Sequence, residues 1–93
     1  MAREASELLL AMANQKRLMV LCHLLEGETT VNNLAELVGM NQTALSQQLA
    51  KLRALKLVDT RREAQQVYYR LASREVELVL QTLYGIYCDK DET

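Results

Sequence analysis

Apolar positions recur along this chain with two different periods, and the change of period divides it. From about Glu4 to Met12, the residues Ala5, Leu8, Leu9 and Met12 follow the i, i+3, i+4, i+7 spacing of a helix that buries one stripe. Asn14 is an N-cap candidate for a second helix, about Gln15 to Leu25. Its expected core stripe is Leu18, Leu21, Cys22 and Leu25. His23 projects about 100° from Cys22 by helical geometry, together with Lys16 and Met19, and is expected at the surface. Glu26-Gly27-Glu28 ends that helix. Thr30 then caps a short third helix, Val31 to Val38, expected to bury Leu34, Leu37 and Val38 before Gly39 stops it.

Asn41 caps a fourth helix, about Gln42 to Leu55. Leu45, Leu49 and Leu52 form its inward stripe; Thr43, Ser46, Gln47 and Lys51 lie opposite, with Gln42 at the edge. The intervening "VGMN" has about the length of the turn in a helix-turn-helix. After Leu57 the period drops to two. Val58, Thr60 and Arg62 alternate with Asp59, Arg61 and Glu63, and after "EAQQ" come Val67, Tyr68, Tyr69, Arg70 and Leu71. This is a β-hairpin pattern, with a turn that lacks the Asn-Gly signal. Ser73 caps a last helix, about Arg74 to Cys88, with Glu75 and Glu77 favourably placed in its first turn. Val76, Val79, Leu80, Leu83, Tyr84, Ile86 and Tyr87 give that helix an apolar face wider than a thin single-subunit core needs. The tail "DKDET" is polar and expected to fray.

The order is therefore α-α-α-α-β-β-α: mostly helical with a small β-hairpin. A helix-turn-helix (about 31–55) followed by a two-stranded wing (about 57–71) is a winged helix. The C-terminal helix (about 74–88) is left for dimerisation with the first.

Length and composition fit this architecture. Ninety-three residues make one domain, without Trp, Phe or Pro and with 49% apolar residues. A domain of this size buries only about 60–65% of its unfolded surface, which favours a homodimer. No stretch is apolar for the roughly 18 residues a membrane span needs. The N-terminus has no basic region followed by a long apolar core, so no secretory signal is expected. A cytoplasmic location is therefore expected, where two cysteines rest reduced.

Charge adds a location to the function. The net charge is −1, yet residues 41–74 hold Lys51, Arg53, Lys56, Arg61, Arg62, Arg70 and Arg74 against only Asp59 and Glu63. A basic block inside an acidic chain points to a local polyanion contact, although a solvated face would look similar. The fourth helix favours DNA. Gln42, Thr43, Ser46 and Gln47 are short polar residues near its N-terminus, of the kinds that reach base edges in the major groove. Lys51, Arg53, Lys56, Arg61 and Arg62 are spaced to meet phosphates, which position a protein without reading sequence. The expected partner is a double-stranded operator, an imperfect palindrome if the protein is a dimer.

The segments "AMANQKRLMVLCHL", "LVGMNQTALSQQLAKLRALKLVDTRREAQQVYYRL" and "TLYGIYC" resemble the ArsR/SmtB family of bacterial winged-helix repressors, over nearly the whole chain. Within it they are most similar to the thiol-switch branch, which senses persulfides and oxidants. A cysteine in the second helix and another ending the last helix mark that branch. The resemblance implies a dimer through the first and last helices and operator binding by Gln42, Thr43, Ser46 and Gln47. It also implies a wing tip around Arg62 to Gln66, including Gln65, and a Cys22–Cys88 disulfide or polysulfide bridge that responds to reactive sulfur species or oxidants. The alternative is a winged-helix repressor or anti-silencer with inert cysteines, since a Cys on an apolar stripe is usually only a small core residue. The apolar surroundings of Cys22 should raise its pKa, so the more exposed Cys88 is expected to attack first, with Cys22 resolving. This chain departs from the family pattern at Gln48, where His is frequent, at Lys56, where Gly is usual, and at Asn41, which replaces a Ser cap.

Metal sensing and catalysis are not expected, and no cofactor is implied. The third helix, "VNNLAELV", holds no thiol or imidazole, and the last helix holds no His. Cys22, His23 and Cys88 could converge on a metal only if His23 left its helical direction. The single His is also badly placed to activate a nucleophilic Cys.

Overall fold

Short polar caps start four of the five helices. In the computed structural model, which describes residues 1–87, these helices are α1 (Ala2–Met12), α2 (Gln15–Glu26), α3 (Val31–Val38), α4 (Gln42–Ala54) and α5 (Arg74–Tyr87). The Asn14 side chain accepts from the backbone N–H of Lys16 at 3.0 Å and of Arg17 at 3.2 Å. Thr30 Oγ1 accepts from Asn33 N, Asn41 Oδ1 from Ala44 N, and Ser73 Oγ from Val76 N. Each satisfies a donor that the first helical turn leaves without a partner. Gly39, with φ 68°, ends α3 in the left-handed region, where its missing Cβ removes the steric penalty.

The strands are β1 (Thr29–Thr30), β2 (Val58–Glu63) and β3 (Gln66–Leu71), ordered β1-β3-β2 and antiparallel throughout. The wing is thus a three-stranded sheet rather than a two-stranded hairpin. β1 is only two residues long, too short to show an alternation. The hairpin turn is also tighter than "EAQQ" suggested. Glu63 pairs with Gln66, leaving Ala64 and Gln65 as the turn. Ala64 has φ 55°, a value more often adopted by Gly. The winged helix-turn-helix order expected from the sequence is present in full.

The core is one cluster. Val20, Leu21 and Leu24 of α2 meet Leu34, Ala35 and Val38 of α3 and Leu45, Leu49 and Leu52 of α4; Val58, Val76 and Leu80 close it. Leu45, Leu49 and Leu52 are wholly buried, as their spacing predicts. Three other stripes are phased differently. In α2 the buried face is Val20, Leu21 and Leu24. Leu18 and Leu25 are half-buried, and Cys22, expected in the core, is exposed. The run "RLMVLCHLL" is apolar nearly all round, so its sequence leaves the phase open, and packing against α3 and β3 selects the other side. In α3, Ala35 is buried and Leu37 is exposed. In α1 only Ala11 and Met12 are buried; Leu8 is half-buried, while Ala5 and Leu9 face outward. His23 is half-buried.

Large apolar side chains remain outside on the two terminal helices. Leu9 and Leu10 of α1 and Tyr84, Ile86 and Tyr87 of α5 are all exposed. No single helix among the described residues is long and apolar enough to cross a membrane.

Candidate nucleic-acid interface

The three buried leucines of α4 fix its rotation. With Leu45, Leu49 and Leu52 inward, Gln42, Thr43, Ser46 and Gln47 are all exposed and line one shallow outer concavity with Ala50. Asn41 closes the first turn of α4, beside this surface, by accepting from Ala44 N at 2.8 Å. Lys51 and Arg53 lie exposed in the last turn. Their charges also suit the negative end of the helix dipole there, so their presence alone does not require a ligand.

Past α4 the chain makes a Schellman turn. Lys56 N donates to Arg53 O at 2.9 Å, and Leu57 N donates to Leu52 O at 3.0 Å. Leu52 and Leu57 are both buried, which supplies the hydrophobic contact of that motif. Lys56 occupies the left-handed position, with φ 64°.

In the wing, strand alternation sorts the basic residues onto two faces. Arg62 and Gln65 are exposed at the tip end. Arg61 is half-buried, and all three of its guanidinium nitrogens donate to carboxylates. Its Nε donates to both Glu28 carboxylate oxygens at 2.9 and 3.0 Å, Nη2 donates to Glu28 Oε1, and Nη1 donates to Glu63 Oε2 at 3.1 Å. The guanidinium carbon lies 4.7 Å from the centroid of the Tyr68 ring. Arg61's hydrogen bonds hold the Glu28 carboxyl below its ordinary value of 4.5, with smaller electrostatic help from Arg61 and Arg70.

Sequence reasoning missed two contacts that bear on this surface. Arg17 Nε donates to Gln48 Oε1 at 2.9 Å, and its Nη1 donates to the Ala11 carbonyl at 3.3 Å, joining α1, α2 and α4. The Arg61–Glu28 pair is the other. The Arg17–Gln48 and Arg61–Glu28 bonds each span more than thirty residues, and nothing local in the sequence signals them.

Cys22 lines an apolar concavity with Leu18, Leu80, Leu83, Tyr84 and Tyr87. Cys88 and the tail lie outside the described residues. Among the described residues, no three His, Cys, Asp or Glu side chains gather to hold a metal ion.

The exposed polar face of α4, the turn before it and the wing after it form a winged helix-turn-helix, and residues 14–60 match the model of the bacterial regulatory proteins of the arsR family. This chain belongs to the ArsR family. It is 46% identical over 89 residues to the transcriptional activator HlyU of Vibrio cholerae, covering 96% of this chain and 82% of that one. Reduced HlyU from V. cholerae has a similar fold, with a TM-score of 0.88, 47% identity and coverage of 94% of this chain and 92% of that chain. The biofilm growth-associated repressor of Agrobacterium fabrum is 43% identical over 91 residues, or 98% of this chain and 78% of its own length. A homodimeric winged helix-turn-helix DNA-binding domain from Mycobacterium bovis aligns with a TM-score of 0.81 at 32% identity, covering 98% of this chain and 84% of that chain. As an ArsR-family member with this fold, the protein is a DNA-binding transcriptional regulator. Its relatives include both an activator and a repressor, so family membership leaves the sign of regulation open.

Proposed function

We propose that this ArsR-family regulator binds a palindromic operator as a homodimer through α1 and α5, and that a dithiol switch sets its affinity. The carrying observation for DNA is the division of α4: three leucines wholly buried on one side and Gln42, Thr43, Ser46 and Gln47 exposed on the other. These four read base edges. Lys51, Arg53, Arg62 and Gln65 meet the backbone and the groove beside it. Dimerisation covers the leucines of α1 and the tyrosines of α5 that one subunit leaves exposed, and it sets the two α4 helices about 34 Å apart, one turn of DNA. The homodimeric M. bovis domain supports this assembly. The site of action is the cytoplasm.

The switch reading rests on placement. Cys22 is exposed beside Tyr84 and Tyr87, the residues of α5 that lead directly into Cys88. With Cys22 outside the core, the argument that burial makes Cys88 the first attacker loses its premise. A thiolate attacks the outer sulfur of a hydropersulfide RSSH and releases the thiol RSH, leaving a cysteine persulfide. The second thiolate attacks the cysteine sulfur of that persulfide and expels hydrogen sulfide, forming the disulfide. A second equivalent of RSSH would instead leave one sulfur atom inside the bridge. Bridging ties α5 to α2 and favours one dimer geometry over another. A coupling of about 1–3 kcal/mol would change DNA affinity roughly 5–150-fold.

The test is a gel shift on a duplex selected by the wild-type protein from a random-sequence pool. The protein is used reduced, peroxide-treated and polysulfide-treated, with its oligomeric state followed by light scattering. Treated wild type should release DNA and Cys22→Ser should retain it, while intact mass counts the sulfur atoms gained. Equal loss in both proteins refutes the switch. Failure to select any duplex refutes the operator reading.

A further inference from the structure

The basic residues of the wing are not equivalent. All three guanidinium nitrogens of Arg61 donate to carboxylates: Nε and Nη2 to Glu28, Nη1 to Glu63. Its face lies over Tyr68. A phosphate approaching Arg61 would have to displace both acids. Arg62, one residue on, is exposed and on the opposite face of the strand.

The position of Glu28 gives the pair a purpose. Glu28 immediately precedes β1, one outer strand of the sheet; Arg61 is on β2, the other outer strand; Tyr68 is on β3, between them and directly opposite Arg61. The ion pair therefore crosses the middle strand and joins the two edges of the sheet. β1 is anchored to the body of the domain, since Thr30 also caps α3. Among the described residues, β2 has no strand on its far side. Near the wing tip, Arg61 to Glu28 is the side-chain link that returns from β2 to the body.

We infer that Glu28 and Arg61 form a clasp that sets the angle of the wing against α4, making both of them positioning residues for DNA binding rather than DNA contacts. This rests on the reading that the wing meets DNA. It leads to a reversal of the ordinary electrostatic expectation. Removing an acidic side chain should strengthen binding to a polyanion. Removing Glu28 should weaken it, because the wing loses its angle.

The experiment uses Glu28→Ala, Arg61→Met and the double variant, with the duplex selected by wild type, titrated over a series of salt concentrations. Circular dichroism melting checks that each variant is folded. Each single variant should bind about two- to fivefold more weakly, the range an exposed ion pair can supply. The slope of log K against log salt should match wild type, and the double variant should lose no more than the more affected single. Independently of DNA, amide exchange across residues 62–67 should accelerate in each variant. Three results would overturn the clasp: Glu28→Ala binding as tightly as wild type or tighter, a slope reduced by about 0.9 in Arg61→Met, which is the mark of a lost phosphate contact, or unchanged exchange in the hairpin. If wild type selects no duplex, the regulator reading fails, and the exchange measurement alone decides on the clasp.

Discussion

Lys56→Gly should stabilise this domain, although it removes a side chain and adds nothing. Lys56 sits at φ 64° in the left-handed position of a complete Schellman motif, with its two closing hydrogen bonds at 2.9 and 3.0 Å. An L-residue with a Cβ costs about 1–2 kcal/mol in that conformation. Glycine removes the cost but gives the unfolded chain about 0.5–1 kcal/mol more entropy to lose. The net gain is about 0.5–1 kcal/mol, which for a domain of this length raises Tm by roughly 2–8 °C. Among the described residues, the lysine makes no ion pair that would be lost with it. Lys56→Ala is the control, since it removes the charge and keeps the Cβ, and it should stay within about 0.5 kcal/mol of wild type. Thermal melts of the three proteins, followed by circular dichroism under reducing conditions, decide the matter. If Lys56→Gly melts no higher than Lys56→Ala, backbone strain at this turn is not a cost the fold bears.

Three further outcomes are expected. Leu49→Ala, at a wholly buried site on α4, should lower stability by about 2–5 kcal/mol in urea unfolding, towards the lower figure if the surrounding helices collapse onto the cavity. Arg62→Gln should reduce the salt slope of operator binding by about 0.9 and weaken all sequences alike, whereas Gln47→Ala should relax base preference in a fresh selection and leave the slope unchanged. The Glu28 carboxyl is held below its ordinary 4.5 by Arg61, so its contribution is present above that pH and lost as pH falls through the depressed value. The stability difference between wild type and Glu28→Gln should therefore shrink in acid, and a difference that stays constant from neutral pH to pH ~3 would contradict the assignment.

The parts legible in the sequence were those where one local signal had one solution. Asn14, Thr30, Asn41 and Ser73 each precede an apolar period, and each caps the helix it announces. The leucines of α4 are separated by polar residues, so their stripe admits one phase, and the outward face of Gln42, Thr43, Ser46 and Gln47 follows from it. Where apolar residues surround a helix, the phase came from tertiary contacts instead. That is why Cys22 is found outside; on the amphipathic helices α1 and α3, Leu9 and Leu37 flank the buried stripe rather than belong to it. β1 escaped notice because two residues carry no period. Arg61 was read as a phosphate contact by residue type alone, yet its acidic partner lies thirty-three positions earlier and meets it only through the sheet topology.

Thr30 serves two elements at once. Its backbone pairs with Tyr68 in the sheet, and its hydroxyl closes the first turn of α3. No linker separates β1 from α3 at that point, and with the Glu28–Arg61 clasp closed neither wing nor helix-turn-helix can tilt without carrying the other. The reading head thus behaves as one rigid body with a fixed internal shape. A signal arriving at α2 or α5 has little means of altering how a single head fits its groove. It acts on where the head stands relative to a second one, and the sensitivity of such a protein should appear in the spacing between half-sites rather than in the bases within each.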